Sequence, residues 1–241
     1  MGLSKFSSSS DLRGKRVLKN ILWSTGLKAV NAAISFIIVP LYLTLLTEIA
    51  FGIWLTVSAV VQWFNFFDLG IGNGLRNKLA EALAKEDKPL GKTYVSTTYA
   101  LVTIIALGML LAFFLADFLF EWSSIFEAPG NLKDEVNSMV TGLFCLFIPQ
   151  FVVQLIKMVV TADQRPALSN LMNTSVNVLQ LLSVYLLGEF GMGTLVNLAW
   201  VIAGAKLFVP LLASFYLFAT RYSDLTPSFA AVEFKYSNSF R

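Results

Sequence analysis

The stretch FNFFDLGIGNGLRNKLAEALAKE, Phe64–Glu86, decides how the rest of the chain is read. It begins as the tail of an apolar run and passes three spaced glycines, Gly70, Gly72 and Gly74. It then turns charged and amphipathic, with Arg76, Lys78 and Lys85 and, just beyond, Lys88. Asp68 stands where the apolar run gives out. An apolar side that yields to a basic cluster marks the inner edge of a membrane. Leu75, Leu79 and Leu83 recur every four residues on one helical face, and Glu81 with Lys85 makes a favourable i,i+4 pair. The segment is therefore expected to be a helix lying on the membrane surface between two spans.

The composition agrees with a membrane setting. Hydrophobic residues make up 56% of the 241 and charged residues only 14%, against about 25% charged in a soluble domain. A water-facing surface cannot be built from that inventory. The apolar runs predict an all-α integral membrane protein with six spans, at about 21–46, 49–71, 93–120, 139–162, 168–188 and 194–219. Residues 1–20 are expected to form a basic cytoplasmic N-terminus, 21–219 the six-span lobe and 220–241 a polar cytoplasmic tail. The run from Ile21 is too long for a cleavable signal. Only Thr47-Glu48 separates the first two spans, which predicts a tight helical hairpin.

Orientation follows from the basic residues. Fourteen of the 18 Lys and Arg fall in segments on one side, only Lys133 falls on the other, and Lys28, Lys157 and Lys206 lie within spans. Positive charge stays cytoplasmic, so both termini are expected inside.

Several chemistries are excluded or lack support. The chain has no histidine and one cysteine, Cys145, which removes imidazole chemistry and an internal disulfide. The three glycines follow no strand and precede no Lys-Ser/Thr, so they are not a phosphate loop. No HExxH, CxxC or GxSxG occurs, and no enzyme site, metal or cofactor is expected. Asn173-Thr174-Ser175 matches a glycosylation pattern but lies inside a span.

The informative residues are ionisable groups within spans, because burying them in hydrocarbon is costly. Lys206 falls near the midplane and is expected to face a hydrated interior. Lys28 and Lys157 either snorkel to the headgroups or join it. Asp68, at the inner boundary, and Asp117, near the outer end of the third span, are either interfacial residues or ion-coupling and gating groups. Asp68 is also placed to pair with Arg76 or a span lysine. Gln62, Asn65, Gln150, Gln154 and the polar fifth span (Asn170, Asn173, Thr174, Ser175, Asn177, Gln180) supply uncharged groups for bonding between helices or for substrate. Pro40, Pro149 and Pro210 mark kinks or hinges.

With FDLGIGNGLRNKLAEALAK (Phe67–Lys85) after the second span and YVSTTYA (Tyr94–Ala100) in the third, the chain resembles the bacterial O-antigen flippases. These belong to the multidrug/oligosaccharidyl-lipid/polysaccharide exporter superfamily. The resemblance covers about 13–235 and is strongest over 65–100. It implies an inner-membrane transporter that moves an undecaprenyl-diphosphate-linked oligosaccharide to the outer leaflet by alternating access. The family interior is generally cationic, a role that Lys28, Lys157 and Lys206 fit by chemistry and depth. Members have about twelve spans in two halves, and this chain matches the first half. It is therefore expected to need a second half, another chain or its own copy, or else to be a truncated remnant. The alternative functions are an ion-coupled drug exporter of the same superfamily, with Asp68 or Asp117 coupling, and a membrane scaffold.

Overall fold

The computed structural model describes residues 4–235, with side chains described except at 4–22, 24 and 64–69. Eight α-helices make up nearly all of it: α1 (Ser4–Leu45), α2 (Glu48–Ala84), α3 (Lys88–Leu119), α4 (Trp122–Ile125), α5 (Lys133–Val153), α6 (Leu155–Ala162), α7 (Pro166–Glu189) and α8 (Leu195–Thr220). Five segments are long and apolar enough to cross a membrane: Thr25–Leu45, Lys88–Leu119, Gly130–Ala162, Pro166–Glu189 and Leu195–Thr220. Among the described residues α2 contributes a shorter apolar stretch, Glu48–Trp63. Composition and helix length make this a multi-pass membrane protein.

The helix starts are written in the sequence. Thr47, Asp87 and Thr194 each accept a hydrogen bond from the backbone N–H three residues on, at 3.3, 3.0 and 3.2 Å, which satisfies one of the donors a helix start leaves open. Pro40, Pro149 and Pro210 all lie inside helices that continue through them. The one interruption of a long apolar segment falls at Gln154, between α5 and α6, where Lys157 N donates to Gln154 O in a tighter three-residue step.

Packing runs from α1 to α7, α7 to α8, α8 to α5, α5 to α3 and α3 to α2, with α2 closing against α6. Gly142 lets α5 and α8 approach closely, since a Cβ there would lie 3.2 Å from Trp200 Nε1. Gly72 does the same for α2 and α6, its added Cβ meeting Met158 at 3.4 Å. The core is apolar, with Val57, Leu75, Leu79, Val95, Met139, Ile156, Val184 and Leu195 buried. Large apolar side chains also cover much of the outside: Phe36 is 81%, Phe118 88% and Phe215 69% exposed. A hydrocarbon solvent accepts such a surface; water does not.

Three expectations are corrected. Residues 75–84 are no separate surface helix: they continue α2 without a break, and Leu75 and Leu79 are buried in the core. The four-residue leucine spacing is the same for either placement. The first two spans are not a tightly packed hairpin: among the described residues α1 lies mainly along α7 and meets α2 near their joined ends, where Tyr42 sits edge-on to Trp54. The stretch left between the third and fourth expected spans, 121–138, is not one connection: α4, a 3-10 turn at Gly130–Leu132 and the early start of α5 occupy most of it.

The turns gather at two ends. At one, Lys88 Nζ lies 2.7 Å from Asp224 Oδ2. Asp163 Oδ2 there receives Arg165 at 3.0 Å, Arg221 at 3.4 Å and the Tyr222 hydroxyl at 2.9 Å. Burial, and then the bond to Asp163, push the Tyr222 hydroxyl up to about 12. The segment after α8 is docked on α3: Ser228 N donates to Ser96 Oγ and Glu233 N to Thr97 Oγ1, both at 3.0 Å. The consecutive hydroxyls of the YVSTTYA stretch thus include two that hold the chain's return.

At the opposite end, Glu135 on α5 accepts from the backbone N–H of Leu195 and so ties the start of α8 to α5. Asp117 Oδ1 accepts from Trp122 Nε1 at 2.7 Å and from Thr141 Oγ1 at 2.8 Å.

Candidate polar pocket in the bundle

The midplane polar residues do not scatter. Gln150 from α5, Gln154 at the α5–α6 break, Lys157 from α6, Asn173, Val176 and Asn177 from α7, and Lys206 from α8 line one cavity of about 300 Å³. Each helix supplies its part by simple spacing. Gln150, Gln154 and Lys157 are four and three residues apart and share a face, as do Asn173 and Asn177. Lys206 reaches the same place from α8, which packs on both α5 and α7.

Depth along its helix places Lys206 near the middle of α8. At 1.5 Å per residue, Lys206 is ~17 Å from the start of α8 and ~21 Å from its end. The α6 end carrying Lys157 lies closer to the Asp163 turn, ~8 Å away by the same rise.

The electrostatics are one-sided. Two ammonium groups line the cavity, and among the described residues none of its lining is acidic. Among the described residues no carboxylate pairs with Lys206, and Lys206 is exposed. A lysine at mid-membrane that faced lipid would cost at least ~2.5–3.5 kcal/mol. The exposed ammonium therefore marks this face as one that needs water, an anion or protein against it.

The amides divide into two groups. Gln180, buried, donates to Ile202 O at 2.8 Å and joins α7 to α8. Asn177 donates to Asn31 Oδ1 at 3.1 Å and joins α7 to α1. Gln150 is only 5% exposed, lines the cavity, and its Oε1 has no hydrogen-bond partner. An unpaired buried acceptor of this kind costs about 1–3 kcal/mol. Asn173 lies exposed on the cavity wall.

The residues singled out from sequence fare differently. Lys157 and Lys206 are brought together. Lys28 is exposed on α1 and is not part of the cavity wall; it sits one helical turn from Asn31, whose partner Asn177 lines the cavity. Asp117 is committed to Trp122 and Thr141 at the far end of α3, away from the lysines. The side chain of Asp68 lies outside the described residues, so its pairing with Arg76 is not assigned; Arg76 itself bonds Asn77 Oδ1.

A second, larger groove of about 780 Å³ runs between α3 and the returning segment. It is walled by Tyr99, Ile104, Leu107, Phe229 and Phe234 among others, and among the described residues its lining carries no charge. Its chemistry suits lipid chains and nothing more specific.

Comparison of the chain with protein-family models, with curated proteins and with solved structures returns no match.

Proposed function

We propose that this chain is one lobe of a transporter that carries a lipid-linked, diphosphate-bearing oligosaccharide across the bacterial inner membrane. The carrier lipid in this reading is undecaprenyl diphosphate and the cargo an O-antigen-type unit. The observation that carries the reading is the cavity that Lys157, Lys206 and four amide side chains line together. Paired cations suit a diphosphate, amides suit sugar hydroxyls, and a position between leaflets suits a headgroup in transit. The resemblance of Phe67–Lys85 and Tyr94–Ala100 to the O-antigen flippases points the same way.

The open side of the bundle supports a second lobe. Asn173 and Lys206, both on the cavity wall, are exposed, and hydrocarbon against them is unfavourable. A facing half, supplied by another chain or a second copy, would turn that face into a hydrated passage. In this arrangement the basic end, with Lys85, Lys88, Arg165 and Arg221, lies in the cytoplasm with both termini.

The test is complementation of an O-antigen flippase-deleted strain, read as lipopolysaccharide ladders. The wild-type chain, alone or with a facing half, is expected to restore the ladder, and Lys206→Ala to abolish it at equal membrane abundance. A ladder undiminished in Lys206→Ala would count against the proposal, and energised efflux of cationic dyes by the same protein would favour a drug exporter.

A further inference from the structure

By itself the apolar groove between α3 and the returning segment suits any lipid chain; its setting narrows which lipid. Both walls are fixed. Ser228 N–H donates to Ser96 Oγ and Glu233 N–H to Thr97 Oγ1, both at 3.0 Å, so the returning segment is bonded to α3 at two points. On the α3 side the groove runs from Ser96 to Leu107, a rise of ~16 Å and close to half of a ~30 Å hydrocarbon core. Its height matches the leaflet at the basic end. Counting back the ~20 residues that cross the core from Ala116, the last before Asp117, reaches Thr97. Lys92 lies a further turn out, ~6 Å beyond Ser96, at the level of the lipid headgroups.

Polarity changes along the groove in the order a phospholipid presents. Ile104 and Leu107 are exposed apolar side chains at its deep end. Ser96 lines the other end; it is buried, accepts from Ser228 and, as a hydroxyl, keeps a proton to donate. Lys92 falls in the same helical stripe, four residues before Ser96 and eleven before Thr103. The carboxylates around it are engaged or farther out. Asp224 is bonded by Lys88 at 2.7 Å, Asp87 caps the start of α3 through Leu90 N–H, and Glu86 lies in the turn before that. Among the described residues Lys92 makes no ion pair. From this we infer that the groove holds an acyl chain of an anionic phospholipid from the cytoplasmic leaflet, such as phosphatidylglycerol, with its phosphate beside Lys92 and its ester region at Ser96. A chain seated there touches α3 and the returning segment at once and so helps to keep them together.

The experiment takes the full chain, delipidated in a mild detergent, and titrates it with phosphatidylglycerol or with phosphatidylethanolamine of the same chains. Native mass spectrometry reads the lipid-bound species at fixed ionic strength. The wild-type protein is expected to bind phosphatidylglycerol about 5-fold more tightly, the pull of one lysine on an anionic headgroup. Lys92→Gln is expected to bring that ratio within about 2-fold. Lys78→Gln, a basic position on α2 outside the groove lining, is expected to leave it unchanged. Ile104→Trp, at an exposed position on the groove wall, is expected to weaken both lipids by at least about 3-fold. Equal affinity of the wild type for the two lipids overturns the inference, and that result needs no variant to fold. A preference that survives Lys92→Gln, or that falls as far in Lys78→Gln, overturns it in favour of general surface charge. Tighter binding of a prenyl phosphate than of phosphatidylglycerol overturns it in favour of a carrier's tail. The polar cavity takes no part in these outcomes, so the transport reading is tested separately.

Discussion

Replacing Asp117 separates a structural acid from a coupling acid. Its Oδ1 accepts from Trp122 Nε1 at 2.7 Å and from Thr141 Oγ1 at 2.8 Å, which stitches the end of α3 to α4 and α5. Hydrogen bonds to a charged acceptor are worth about 1.5–3 kcal/mol each. Thr141 keeps an alternative acceptor in Asn137 O at 3.1 Å, so its share of the loss is partial. Trp122 keeps its stacking on Phe113, with ring centroids 5.8 Å apart and planes 6° from parallel. Asp117→Ala is therefore expected to cost ~2–4 kcal/mol of stability. Asp117→Asn, which retains the accepting oxygen but not the charge, is expected to cost about half that. The assay is denaturant unfolding in bicelles followed by tryptophan fluorescence, with ladder restoration measured alongside. The asparagine variant should keep transport, because the bonds it needs are neutral-compatible. An Asp117→Asn protein as stable as wild type but unable to transport would refute the structural assignment and return Asp117 to the coupling role.

Further outcomes follow from the packing and the loops. Gly142→Val is expected to destabilise by about 1–3 kcal/mol through overpacking, because a Cβ already meets Trp200 at 3.2 Å; unfolding with Trp200 quenching reads it. Gln180→Leu removes the bond to Ile202 O and is expected to cost only about 0.6–1.7 kcal/mol, the range for polar contacts between membrane helices, in the same assay. The docked return segment should loosen in acid. Lys88, bonded to Asp224, holds that carboxyl below its ordinary value. A lowered folded value means the stabilisation is present above the ordinary carboxylate pKa and is lost as pH falls through the lower one. Limited proteolysis within 221–235 should therefore accelerate below about pH 4, and less so in Lys88→Met, which lacks the pair at every pH.

How much of this was legible in the sequence depends on whether a signal was local. The apolar runs and the depth of Lys206 along its span are local, and each has a place in the structure. Lys157 was ambiguous by depth alone. It could snorkel or join an interior, and only the packing of α6 near α7 and α8 brings it to the cavity that Lys206 lines. The polar set of α7 mixed two roles that composition cannot separate. Gln180 bonds a neighbouring backbone carbonyl, whereas Asn173, seven residues earlier, lines the cavity. Gln150 was visible as a polar residue in an apolar span, but its unmatched oxygen depends on what α7 and α8 fail to offer it.

The misreadings have the same origin. Three glycines followed by charge looked like the end of a span, yet Gly72 is where Met158 seats and α2 runs on. A two-residue connection between α1 and α2 fixes their ends together but not their sides, and α1 found its partner in α7, more than a hundred residues away. The hydroxyls of Ser96 and Thr97 were noticed as a motif; their partners, Ser228 and Glu233, lie beyond any local window.

The central claim is that the face bearing Lys206 and Asn173 meets water rather than lipid. Single cysteines placed in a Cys145→Ser background and labelled in intact membranes with a water-soluble maleimide address it directly. Lys206→Cys and Asn173→Cys are expected to label readily. Leu111→Cys and Phe215→Cys, on exposed apolar faces, are expected to label poorly at comparable abundance. Equal labelling of all four positions, or none at Lys206→Cys and Asn173→Cys, would contradict the account.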